Sequence, residues 1–305
     1  MQPPDPSLRD ISKKNGTAMK EAIVVGVNDS PSSDAAVRWA MQRAAALKLP
    51  VQLVHAVDDR WAYDAVGYNE WIRESGETLL AAAKDHASKL EPTVEISTVL
   101  VSGGSGYALG KKSKKASMVV VGSGHGWVGG SLTDRALQVA TVAQCPVAVI
   151  GEHDMSNRHG VLVGVDGSEE STQAVAFAAA EADRTGQELT VLHAFHLPEP
   201  VVSRGMPPGN YSELVAEQER VVLSETVAGL ADTYPDLAIH QVLETRMRPA
   251  EALLAYAATA RLLVVGSKGH GAFKRLLLGS TAHAVLGKIP CPTIITRLHT
   301  VKHSE

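Results

Sequence analysis

The sequence predicts an α/β protein of two tandem domains, each an open parallel sheet. Three observations carry this. The chain repeats itself: "AIVVGVNDS" (Ala22 to Ser30) returns 138 residues later as "GVLVGVDGS" (Gly160 to Ser168), and "VQLVHAV" (Val51 to Val57) returns at the same interval as "LTVLHAF" (Leu189 to Phe195). Within each copy, apolar runs of strand length alternate with helical patterns, as in a parallel sheet covered by helices on both sides. Each copy closes on a short apolar strand after a Cys-Pro step, "CPVAVI" (Cys145 to Ile150) and "CPTIIT" (Cys291 to Thr296). A period of this length is too long for a solenoid and gives domains of about 135 residues, a normal size for one core.

The elements follow in order, most clearly in the second copy. A strand at about 161–165 leads into a helix at 169–184, where the Ala-rich run from Ser171 to Arg184 has good helix propensity and Gly186 supplies a stop. A strand at 189–195 precedes a helix at 211–232. A strand at 238–243 precedes a helix at 248–258. The run "LLVVG" in the strand at 262–266 is apolar throughout, as in parallel strands buried on both faces. A helix at 280–288 and a strand at 293–296 complete the copy. The first copy follows the same plan. The expected organisation is a flexible tail over 1–20, a first domain over 21–151, a linker over 152–159, a second domain over 160–298 and a C-terminal tail over 299–305.

Composition narrows the function classes. A net charge of −4 argues against a nucleic-acid partner, which would need a basic face. The short basic run Lys111, Lys112, Lys114 and Lys115 is mixed with Ser and reads as a solvated helix face. No apolar run is long enough for a membrane span. The polar, proline-containing first twenty residues lack the apolar centre of a signal peptide, and Met19 is an alternative start. Cytoplasmic location is therefore expected. The two cysteines, Cys145 and Cys291, read as small core residues.

In an open parallel sheet, ligands bind beyond the carboxyl ends of the strands. Three segments of the second copy converge there: Gly164-Val165-Asp166 after its first strand, Ala194-Phe195 after its second, and a glycine loop after its fourth. That loop, "VVGSKGHGAFKRLLLGS" from Val264 to Ser280, contains Val265, Gly266, Ser267, Gly269 and Gly279, and opens a helix at Ser280-Thr281. Glycines permit close backbone approach, and exposed N–H groups before a helix favour anions. Lys268, Lys274 and Arg275 add positive charge, so phosphate is the natural occupant. The Walker A pattern is absent: "GKKS" at Gly110 to Ser113 fails the required spacing. "GSGHG" (Gly122 to Gly126) follows the wrong strand for a dinucleotide fingerprint, and "SGGSGY" (Ser102 to Tyr107) reads as a turn.

These residues resemble the universal stress protein family in its tandem form, over about residues 20–298. The spacing G-x2-G-x9-G-[ST] of the family's ATP-binding subgroup is met without a gap by Gly266, Gly269, Gly279 and Ser280. The resemblance implies a Rossmann-like, adenine nucleotide alpha hydrolase-like fold and ATP as ligand, with Mg left open. It implies Asp166 near adenine and ribose, backbone around Ala194 and Phe195 against adenine, Gly266 and Gly269 along ribose and phosphates, and Gly279, Ser280 and Thr281 on the phosphates. It also implies that the final strands pair across a two-fold axis, here within one chain as a pseudo-dimer; a further homodimer of chains is open.

The first copy departs from the pattern. Its counterpart site would comprise Val27, Asn28, Ala56, Gly122, Gly130 and Ser131. Asn28 stands where the family has aspartate, His125 stands where the second glycine should fall, and a loop ending at Gly130-Ser131 is five residues short. The first copy is therefore expected to bind ATP weakly, bind something smaller, or serve structurally.

No catalytic group and no metal cluster stands out. His270 and His125 lie in the two loops; His55 and His193 share one strand position and read as structural or site-lining; His153 and His159 fall in the linker and read as solvated. Trp61, Tyr63, Tyr68 and Trp71 pack over the crevice mouth or the other copy, or form a lid for a partner protein. The expected function is an ATP-binding stress-response regulator acting through nucleotide-dependent conformation or an unidentified protein partner. A slow ATP hydrolase and a nucleotide-independent scaffold are the alternatives.

Overall fold

The computed structural model describes residues 21–57, 67–124, 133–196, 211–269 and 277–297. The first copy runs β1 (Ala22–Gly26), α1 (Pro31–Leu47), β2 (Val51–Val57), α2 (Tyr68–Leu90), β3 (Ile96–Ser102), α3 (Ser105–Lys112), β4 (Ala116–Gly122), α4 (Thr133–Val142) and β5 (Val147–Ile150). The second runs β6 (His159–Val165), α5 (Glu169–Thr185), β7 (Leu189–Ala194), α6 (Tyr211–Val227), α7 (Leu230–Thr233), β8 (Ile239–Glu244), α8 (Pro249–Tyr256), β9 (Ala260–Gly266), α9 (Ser280–Leu286) and β10 (Thr293–Thr296).

The expected α/β architecture is present. All ten strands form one sheet in the order β3-β2-β1-β4-β5-β10-β9-β6-β7-β8. Every neighbouring pair is parallel except β5 and β10, which join antiparallel where the copies meet. There Ala148 pairs with Ile294, and Val147 and Val149 pair with Ile295 and Thr293. In the two "CP" motifs Ala148 and Ile294 occupy the same position, so a local two-fold axis passes through this pair. Both are completely buried.

Local chemistry explains the helix bounds. Ser30 and Ser168 cap α1 and α5, each side chain accepting from the backbone N–H three residues on. Pro31 at the first position of α1 needs no N–H partner there. Gly186 ends α5 in the left-handed conformation, as the sequence suggests. Lys48 ends α1 in that same conformation at φ 54°, a non-glycine stop the sequence does not announce. The helix expected at 211–232 is broken: Gly229, at φ 78°, separates α6 from the short α7. α1 and α5 bury matching stripes: Ala36, Val37, Ala40 and Ala44 in α1, and Ala174, Val175, Ala178 and Ala182 in α5. Small residues at helical spacing let both helices sit close on the sheet.

Each face of the sheet carries a core running through both copies. One contains Val25, Met41, Val163, Val191 and Ile294; the other contains Val119, Val149, Leu192, Leu263 and Ile295. Cys145 and Cys291 are buried in the second core as free thiols, and burial pushes each up to about 12. No helix among the described residues is long and apolar enough to cross a membrane.

His153 corrects the expectation of a solvated linker histidine. It is partly buried, its Nε2 has no hydrogen-bond partner among the described residues, and burial followed by the Arg158 charge lowers its pKa. His159 is exposed but begins β6. Arg158 braces the linker by donating to the Asp154 carbonyl at 3.0 Å, and ties it to the second copy by donating to the Pro290 carbonyl at 2.9 Å.

Candidate functional site

The sheet order places β1 beside β4, and β6 beside β9, with β2 and β7 on their other sides. Connections leave in opposite directions at this point, opening a crevice at the strand ends. In the second copy the crevice is a cavity of about 1130 Å³. That exceeds the roughly 300–1,000 Å³ of ordinary small-ligand sites and leaves room for a nucleoside triphosphate.

Its walls collect the predicted segments. Gly164, Val165 and Asp166 come from the end of β6, Ala194 and Phe195 from β7, and Val265 and Gly266 from β9. Gly269, Gly279, Ser280 and Thr281 come from the glycine loop and the start of α9. Lys268 lines the cavity too. Of the predicted second-copy residues, only Ser267 lies outside the lining. Its side chain is buried, its N–H donates to the Thr296 carbonyl at 2.9 Å, and its carbonyl accepts from the Gly279 N–H at 2.7 Å. Ser267 thus clamps the two ends of the loop together at its base. His270, Lys274 and Arg275 lie outside the described residues.

Asp166 is oriented by its own turn. Ser168 donates to Asp166 Oδ1 through its hydroxyl at 2.6 Å and its N–H at 3.1 Å. The intervening Gly167 takes φ 78°, a conformation that favours glycine. Gly266 lies against the start of α5, where a β-carbon would stand 3.3 Å from Glu170 backbone carbon. Gly164 makes room for Leu253 of α8, whose Cδ2 a β-carbon would meet at 2.9 Å.

The structure adds wall residues from α6 that the sequence does not reveal: Glu219, Val222, Glu225 and Thr226. His193 is buried and bridges the sheet to this helix. Its Nδ1 lies 2.8 Å from the Val165 carbonyl and its Nε2 lies 2.7 Å from Glu219 Oε2. No local pattern marks Glu219, since its partner lies 26 residues earlier on a strand.

The first copy repeats the frame but packs it differently. Asn28 Oδ1 accepts from the Ser30 hydroxyl at 2.7 Å, matching the Asp166 turn. His55 Nδ1 lies 2.8 Å from the Val27 carbonyl, matching His193 and Val165. Where α6 reaches its histidine through a carboxylate, α2 comes down on His55 at Gly76, whose β-carbon would lie 3.2 Å from the ring and 2.7 Å from Leu100. Gly106 and Gly110 bring α3 hard against α4: β-carbons there would meet Gln138 Oε1 at 2.9 Å and Val142 Cγ2 at 2.5 Å. Val27, Asn28 and Ala56 stand at strand ends as expected, and Gly122 ends β4 against Ser32 of α1. Gly130 and Ser131 lie outside the described residues, as do His125, Trp61 and Tyr63. Tyr68 and Trp71 are exposed on α2, with ring centroids 5.9 Å apart. Among the described residues no group of three or more His, Cys, Asp or Glu is placed to hold a metal ion.

Comparison with known proteins adds to this geometry. The model of the universal stress protein family matches residues 19–151 and again 157–297. The Mycobacterium tuberculosis (strain ATCC 25618 / H37Rv) universal stress protein Rv2623 is 35% identical over 289 residues, covering 90% of this chain and 96% of that one. A universal stress protein of Mycolicibacterium smegmatis (strain ATCC 700084 / mc(2)155) is 33% identical over 295 residues, covering 92% and 98%. Among solved structures, a universal stress protein from Archaeoglobus fulgidus DSM 4304 superposes with a TM-score of 0.65 at 18% identity, over 90% of this chain and 96% of that one.

Proposed function

We propose, from the premise that this chain belongs to the universal stress protein family, that it is an ATP-binding regulator of a stress response whose working site is the second-copy cavity. The observation that carries this reading is convergence. Three separate segments of sequence with phosphate-binding and nucleoside-binding chemistry line one cavity of about 1130 Å³. The residues fit the group. Backbone around Ala194 and Phe195 offers flat polar edges for adenine. The Asp166 carboxylate, held by Ser168, accepts hydrogen bonds from ribose hydroxyls. Gly266, Gly269 and Gly279 leave the backbone bare, Ser280 and Thr281 contribute hydroxyls, and Lys268 supplies positive charge for the phosphates. Bound nucleotide would contact β6, β7, β9, α6 and α9 together, so its presence changes how the loop and α6 are held and what they offer a partner protein.

Nucleotide content tests the reading. Freshly purified protein is denatured and its ATP, ADP and AMP are measured per chain. The expected result is one adenine nucleotide per chain. A protein that carries none and takes up none on titration with ATP would contradict the proposal. Metal-dependent release of ADP on incubation with ATP would move the reading to the hydrolase.

A further inference from the structure

The seam between the copies carries a charge pair that the nucleotide reading does not use. Arg43 of α1 donates to the Glu181 carboxylate of α5. The two are 138 residues apart, the interval of the repeat, so they hold the same position in the two copies and meet across the local two-fold axis. Both are buried, with side chains 8% and 6% exposed. The next turn repeats the relation: Trp39 and Phe177 are also counterparts, and the Arg43 guanidinium lies 5.5 Å from the first ring and 5.6 Å from the second. A symmetric pair of aromatic faces thus serves a single cation. Arg184 Nη2 adds a second donor to Glu181 at 2.8 Å, while its counterpart in the first copy is Ala46.

Two-fold symmetry makes the consequence definite. In a seam of two first copies, Arg43 would face Arg43, and Ala46 offers no countercharge. In a seam of two second copies, Glu181 would face Glu181, each carboxylate keeping only its own Arg184 and losing the cation between the rings. Burying like charges without a partner is costly, whereas the mixed seam satisfies both. We propose that Arg43 and Glu181 form a matching device that restricts each first copy to a second copy as its partner across the β5–β10 seam, and so keeps duplicated, otherwise similar domains from pairing with their own kind.

Full-length variants test this by charge exchange. Arg43→Glu and Glu181→Arg should each lower the unfolding equilibrium constant's folded bias on the order of 100-fold or more, and the double exchange R43E/E181R should recover most of that loss. The decisive measurement co-refolds R43E with isotopically labelled E181R in equal amounts. Each chain then mismatches internally but complements the other, so native mass spectrometry should show a one-to-one heterodimer, with folded protein recovered even if either variant fails to fold alone. Single reversals that unfold like the wild type would overturn the proposal. So would a double exchange no better than the worse single variant, or a mixture that yields no heterodimer.

Discussion

Gly269 lies against the carboxylate of Asp166 so closely that a β-carbon on the glycine would overlap the carboxylate oxygen Oδ2. The other oxygen, Oδ1, is already held by Ser168. The contact sets the distance between the strand-end acid and the glycine loop, the two features assigned to nucleoside and phosphates. Gly269→Ala should therefore push Asp166 and the loop apart. ATP affinity measured by calorimetry is expected to fall about tenfold or more, a loss of roughly 1.4 kcal/mol per factor of ten. Gly269 is a surface-loop residue beyond the end of β9, so the melting temperature should stay within a few degrees of the wild type. Unchanged affinity would remove the Asp166–loop spacing from the binding site.

Gly279 makes a different prediction, because the protein itself has room there. A β-carbon at Gly279 would lie 3.4 Å from Lys268 Cα and 3.5 Å from the Ser267 carbonyl, ordinary contact distances. Gly279→Val should fold, then, while placing its branches where the phosphates approach. ATP at about a thousand times its dissociation constant should stabilise the wild-type second copy by about 4 kcal/mol. The variant should lose most of that gain in the same thermal melt. A variant still stabilised by ATP to the wild-type extent would show that the phosphates lie elsewhere.

Much of this site was legible in the sequence, for a physical reason. The glycines and the strand-end Asp166 act through local backbone geometry, and local geometry is written in adjacent residues. The α6 wall was not legible. Glu219 matters because His193 lies beside it in space, and no spacing along the chain encodes that meeting. The seam is an intermediate case. Aligning the copies puts Arg43 opposite Glu181, but only the antiparallel joining of β5 and β10 shows that counterparts touch. Gly229, which divides α6 from α7, could have been read as a break, yet the helical pattern around it runs on.

A buried carboxylate and a partly buried histidine both weaken the fold on the acid side, and their signs agree. Burial alone would raise the Glu181 carboxyl, but the hydrogen bonds from Arg184 and Arg43 outweigh it and hold the carboxyl below its ordinary 4.5. Burial, then the Arg158 charge, lowers His153 below 6.5. In each case the unfolded chain takes up the proton first as pH falls. The His153 contribution should be complete above 6.5 and shrink below it; the Glu181 contribution should be complete above 4.5 and shrink as pH falls through the lowered folded value. Denaturant unfolding across this range should show stability declining in two stages on acidification. His153→Phe should remove the upper stage and leave the lower. A wild-type profile with no decline between 6.5 and 4.5 would contradict the burial assigned to His153.

The first copy supplies the last prediction: the chain should hold one adenine nucleotide, and Asn28→Asp should not add a second. The turn that would present an aspartate is already built, since Ser30 donates to Asn28 at 2.7 Å as Ser168 does to Asp166 at 2.6 Å. Restoring the acid therefore restores only one wall. The glycine loop, five residues short of the family spacing, is left as it is. The helices around it also pack differently: Gly76 lets α2 rest on His55 and Leu100, and Gly106 and Gly110 let α3 rest on Gln138 and Val142 of α4, at distances too close for an added β-carbon. The counterparts of Gly106 and Gly110 in α8 are Ala250 and Leu254, so the second copy lacks this pair of glycines. Equilibrium dialysis with labelled ATP should give one site for the wild type and one for Asn28→Asp. The decisive control is Gly279→Val combined with Asn28→Asp, for which the expected count is zero. A full site surviving in that double variant would mean that the acid alone had been missing and that the shortened loop still serves.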